Sequence, residues 1–117
     1  MVDVVIEGLE LAPQACLLDT GASDVRVGEH VAEMAGIELG MADSREIVVG
    51  GLRTTGRAVR VQLELRKGAD SHAWSPTVYF CSPWPWSFGL LGLAGLDPFV
   101  TVLDSYEEWV ELQPLRR

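Results

Sequence analysis

Asp19, Thr20 and Gly21 are the residues of this chain whose types and spacing could do chemistry. They follow Cys16, Leu17 and Leu18, an apolar run that reads as a buried strand and delivers a carboxylate at its end. A carboxylate placed there costs several kcal/mol unless it is paired or hydrogen-bonded. Proton transfer is the chemistry open to it. Thr20 offers a local hydroxyl partner, and Gly21 permits a sharp turn or a close backbone approach. Ala22, Ser23 and Asp24 complete the stretch. The same residues also describe an ordinary strand followed by an Asx or Ser/Thr turn. From average residue usage, an Asp-Thr-Gly triplet turns up by chance in roughly one chain in fifty of this length. The elements around it must decide.

The 117 residues suit one domain, 1–117, with a real core. Apolar residues make up 48%, and no run of them approaches the length of a membrane-spanning helix. Acidic residues outnumber basic ones 17 to 9, a formal net charge of −8, which argues against nucleic acid or an anionic membrane surface as partner. The start, Met1-Val2-Asp3-Val4, lacks the basic and apolar segments of a secretion signal, so a cytoplasmic location is expected. In that setting Cys16 and Cys81, both in apolar contexts, read as buried free thiols. His30 and His72 have no companions at metal-binding spacing, and neither a metal site nor a cofactor is expected.

The elements that must position Asp19 are short. Val2 to Leu11 alternates as a strand, and Gln14 to Leu18 forms a second one ending at Asp19. Val25 and Val27 continue extended, and Gly28 to Met34 reads as a short helix stopped by Gly36, with Val31 and Met34 in the core. Ile47-Val48-Val49 and the alternating run Ala58 to Leu65 flank Gly50-Gly51 as a long hairpin. Arg66 to Ser75 is polar and reads as a loop, and Thr77 to Cys81 as a strand. That strand runs into Pro83-Trp84-Pro85-Trp86, where aromatic residues in a loop imply packing on something. Gly89 to Gly92 is another apolar approach to a glycine, Leu93 to Phe99 has room for one helical turn, and Val100 to Leu112 forms a last hairpin. Asp24 and Asp97 read as solvated turn or cap residues, and Glu107 and Glu108 as a solvated tip. The fold class is all-β in the main: a small closed or sandwiched barrel with one or two short helices.

This order of features resembles the retropepsin family, the retroviral-type aspartic proteases. The resemblance runs from Val2 to Leu112 and rests on four features: Leu17-Leu18-Asp19-Thr20-Gly21-Ala22, the helix ending Val31-Ala32-Glu33-Met34-Ala35-Gly36-Ile37, the glycine-tipped hairpin Ile47 to Leu65, and Leu90-Leu91-Gly92 after a proline-containing loop. Gly92 is preferred to Gly95 as the second turn glycine because Phe99 stands seven residues beyond it, where the family's last helix carries an aromatic. Two departures stand out. The interface strand of viral members has no counterpart ahead of Val2, for which the Val100 to Leu112 hairpin would substitute. Leu93 and Ala94 stand where the family commonly has Arg, Asp or Asn.

The resemblance implies a closed barrel of the acid-protease type and an aspartic endopeptidase working as a homodimer. Each subunit would contribute one Asp19, and the pair would activate a water against a peptide bond. It makes Thr20 and Gly21 part of the catalytic turn, with the Thr20 hydroxyl bonding across the interface. Ala22, the hairpin tip Gly50, Gly51 and Leu52, and Trp84 and Trp86 would contact a peptide or protein substrate with apolar residues, and Gly92 would be a structural turn. A catalytically inactive peptide-binding or dimerisation module of the same fold is the alternative. A small barrel with an incidental Asp-Thr-Gly is the third.

Overall fold

The computed structural model describes residues 2–19, 24–67 and 70–92. Apolar residues recur there at the two-residue period of half-buried strands, and the elements follow in order: β1 Val2–Ile6, β2 Gln14–Asp19, β3 Val25–Gly28, α1 Glu29–Ala35, β4 Asp43–Val49, β5 Leu52–Arg60, β6 Leu63–Lys67, β7 Asp70–Trp74, β8 Thr77–Ser82 and β9 Gly89–Gly92. All nine strands belong to one sheet in the order β4-β5-β8-β3-β9-β2-β1-β6-β7. Short β9 therefore stands in the middle, with four strands on either side. It runs parallel to β2 and antiparallel to β3, and all four of its residues are buried. Among the described residues no pairing joins the edges β4 and β7, so the sheet described is open where a closed barrel was expected.

The core lies on one face. Val2, Val4 and Ile6 of β1, Val25 and Val27 of β3, Leu63 and Leu65 of β6, Val78 and Phe80 of β8, and Leu91 of β9 pack together, with Val31 and Ala32 of α1 against them. The helix stops where expected. Gly36 adopts φ 73°, its N–H meets the Glu33 carbonyl at 3.2 Å, and Ile37 N–H meets the Ala32 carbonyl at 2.9 Å. That pair of bonds is a Schellman motif, which a left-handed glycine permits. Met34, expected in the core, is 54% exposed, because the helix buries Val31 and Ala32 instead.

Three boundaries differ from the sequence reading. The first strand ends at Ile6, not Leu11, where the Leu9 N–H turns back to the Ile6 carbonyl at 2.7 Å. Ala58 to Leu65 is not one strand: β5 stops at Arg60 and β6 begins at Leu63. Val61 N–H bonds the Pro76 carbonyl while Gln62 accepts from Glu7 N–H, both at 3.1 Å, as the chain passes from β8 to β1. In the segment expected as a loop, Arg66 and Lys67 belong to β6, and Asp70–Trp74 is β7, which pairs with it antiparallel. β7 is an edge strand, and its polar residues reflect exposure, not irregular backbone. The helical turn expected at 93–99, with Gly95, Asp97 and Phe99, and the hairpin at 100–112, with Glu107 and Glu108, lie outside the described residues.

Candidate active site

Asp19 is the last residue of β2, and its backbone stands opposite Gly92, the last residue of β9. On the far side of Gly92 is Asp24, whose carbonyl accepts the Gly92 N–H at 3.1 Å. The chain thus leaves Asp19 on one flank of β9 and re-enters at Asp24 on the other. Leu90 and Leu91, paired on one side with Leu17 and Leu18 and on the other with Arg26 and Val25, hold that crossing in register. Thr20, Gly21 and Ala22 fall between these points, outside the described residues. Asp19 and Gly92, 73 residues apart in sequence (92 − 19), are brought side by side.

The hairpin expected over the site is formed by β4 and β5, with Val49 paired to Leu52. Gly50 and Gly51 have φ of +54° and +83°, the backbone of a type I′ turn. A Cβ built on Gly50 would lie 4.0 Å from the Trp86 ring, so the hairpin tip is beside the tryptophan loop. That loop is braced from three directions. Thr54 Oγ1 donates to the Pro83 carbonyl at 2.6 Å, and Trp84 Nε1 to the Phe88 carbonyl at 3.0 Å. The two indoles meet edge to face at 4.9 Å. Trp84 and Trp86 therefore do pack, and with Gln14, His30 and Phe88 they also line a recess.

Asp24 was expected to be solvated and is not. It is 15% exposed, with Oδ1 held by Arg26 Nε at 2.6 Å and Oδ2 3.9 Å from Arg45 Nη1 of β4. The Arg45 guanidinium lies over the Tyr79 ring, 5.1 Å from its centroid. The signal for Asp24 was available: an Asp-x-Arg on a strand puts opposite charges on one face. Arg45 offered none, since its partner comes from another strand. Cys16 and Cys81 are both free and buried. Burial pushes the Cys16 thiol up to about 12, against a backbone hydrogen bond at Gly89 that lowers it. Burial likewise raises Cys81 to about 11, with Arg26 pulling the other way. Among the described residues no group of three or more His, Cys, Asp or Glu is placed to hold a metal ion, and no helix is long and apolar enough to cross a membrane.

No family model and no curated protein sequence matches the chain. Solved structures do. One is a retropepsin-like aspartic protease from Rickettsia conorii, with a TM-score of 0.56 and 15% identity over 84% of this chain and 68% of that one. Identity that low speaks to architecture alone. In its mainly β fold, then, this chain is similar to a retropepsin-like aspartic protease.

Proposed function

We propose that the chain is an aspartic endopeptidase that works as a homodimer. The observation that carries this reading is the placement of Asp19 beside Gly92, at the end of two parallel strands, with the chain resuming at Asp24 across β9. One chain supplies one such carboxylate. Two copies about a two-fold axis would supply a pair, and close carboxylates share a proton because both cannot readily ionise. The ionised member takes a proton from water while the protonated member polarises the scissile carbonyl. The titration then belongs to the pair. In this reading the Thr20 hydroxyl would hold the two turns in register across the interface, Gly21 would let the chain turn tightly, and Ala22 would contact the peptide. The tip Gly50, Gly51 and Leu52 closes over an extended substrate and excludes water, while Trp84 and Trp86 wall its apolar side chains.

The test is cleavage of a peptide library at mildly acidic pH by the native protein and by Asp19→Asn. The native protein should cleave, and the variant should be slower by about a hundredfold to ten-thousandfold or more, the usual weight of acid–base catalysis. Equal cleavage by both proteins overturns the reading. Cleavage by neither, with peptide still bound, points to the inactive peptide-binding module.

A further inference from the structure

The sheet has two faces at the candidate site, and the core fills one of them. Leu18, Leu91, Val25 and Val78 form a cross-strand row that belongs to the core or packs on it. Alternate residues of a strand face opposite sides, so the neighbouring row of Leu17, Leu90, Arg26 and Tyr79 points the other way. Leu17 in that row is 41% exposed. Gly28 and Gly56 lie on the same side. A Cβ on Gly28 would stand 3.1 Å from Trp84 Cδ1, and one on Gly56 would stand 2.6 Å from Ile47 Cδ1 of the hairpin. The tryptophan loop and the hairpin thus flank the face that carries Leu17, Arg26 and Tyr79. Leu90 in that row is buried, so what this face leaves open to a peptide lies at Leu17 and at Arg45 of the hairpin.

Among the described residues, one ion-paired cluster on that face holds more positive than negative charge, with exposed Asp43 further along the row of Tyr79. Asp24, Arg26 and Arg45 are within ion-pairing distance, two guanidiniums against one carboxylate. Asp24 is committed to Arg26 at 2.6 Å, both side chains being largely enclosed at 15% and 18% exposure. Arg45 is only 3.9 Å from the second carboxylate oxygen and is 61% exposed, so its charge is the one left for a ligand. Its position over Tyr79 holds the guanidinium in place before any ligand arrives, which lowers the entropy lost on binding. This surplus positive charge lies in a chain whose formal net charge is −8.

Distance relates the charge to the candidate site. Asp24 and Asp19 stand on opposite flanks of Gly92, two strand spacings or about 10 Å apart. Arg45 Nη1 lies a further 3.9 Å beyond the Asp24 carboxylate, so an extended peptide spans from Asp19 to it in roughly three to five residues. Taking the protease reading as its basis, we propose that the site selects peptides with an acidic side chain, Asp or Glu, docked on Arg45 within about five residues of the scissile bond. Apolar residues against the tryptophan loop and an acidic one at Arg45 together define the substrate class.

The experiment uses blocked octapeptides in which each position in turn is Glu, Gln or Lys. Binding to the Asp19→Asn protein is measured by fluorescence polarisation near neutral pH and low salt, and cleavage by the native protein is followed in parallel. At one position Glu should be favoured over Gln by about two- to fivefold, the range for a partly exposed ion pair. Added salt should reduce the preference. In the Arg45→Gln background the ratio should fall to about one, and Arg45→Glu should turn it towards Lys. Arg45 is largely exposed, so neither change threatens the fold. A Glu preference at no position, one that survives Arg45→Gln, or binding of no peptide overturns the proposal. The two readings separate cleanly. Cleavage without an acidic preference removes the specificity and leaves the protease. Arg45-dependent binding of Glu peptides without cleavage leaves the specificity and removes the catalysis.

Discussion

Burial governs what the two thiols can do. Cys16 and Cys81 are held up at about 12 and about 11, chiefly because burial disfavours the thiolate. Iodoacetamide at pH 8 should therefore leave both unmodified in the folded protein and modify both in denaturant, read by mass spectrometry. Rapid alkylation of either in the native state would contradict that burial. The linkage follows in sign. Each folded value lies above the ordinary 9.0, so the stability from keeping the thiols neutral is complete below about pH 9 and is lost as pH rises towards 11–12. The apolar neighbours of these cysteines made their burial legible from sequence. Asp24 was legible only in part: Arg26 two residues on signals a partner, whereas Arg45 comes from β4 and leaves no mark along the chain.

Among the elements, the β4–β5 hairpin has the strictest local requirement. Its type I′ turn needs positive φ at Gly50 and Gly51, and a side chain in the left-handed region costs about 1–2 kcal/mol. Gly50→Ala and Gly51→Ala should each lower stability by about that much, seen as a lower urea midpoint at unchanged slope. Gly50→Asn should cost less, because Asn accepts that backbone more readily. Equal tolerance of alanine and glycine would argue against this turn. Its tip was readable because paired glycines between β-rich runs have few other uses. Strand β2 was readable because an apolar approach ended abruptly in polar residues. The break at Val61–Gln62 was not. Val59, Val61, Leu63 and Leu65 all serve one core, so the alternation runs on unbroken while the chain exchanges β8 for β1 as its neighbour. Periodicity reports which side is buried and is silent about which strand lies alongside. β7 was missed for a related reason, since polarity marks an exposed edge and a loop alike.

For the whole molecule, the proposed function makes activity and assembly one question, because each chain would supply only one carboxylate of the pair. Sedimentation equilibrium should find twice the 12.8 kDa chain mass, most fully with peptide bound. Two copies at −8 each repel, so raising salt from a low value should favour the dimer. A strict monomer under all these conditions, with peptide present, would end the homodimer reading. The central position of β9 has a further consequence, in time. Among the described residues, strands β4, β5, β8 and β3 on one side and β2, β1, β6 and β7 on the other are joined in the ladder through Gly89–Gly92 alone. Closing β9 onto β2 spans 73 residues (92 − 19), the kind of non-local contact that slows folding. A growing chain emerges N-terminus first, so Asp19 leaves the ribosome long before the strand that flanks it. On the protease reading, the nascent polypeptide carries Asp19 before its site exists, and that site forms only when the joint between the two halves closes.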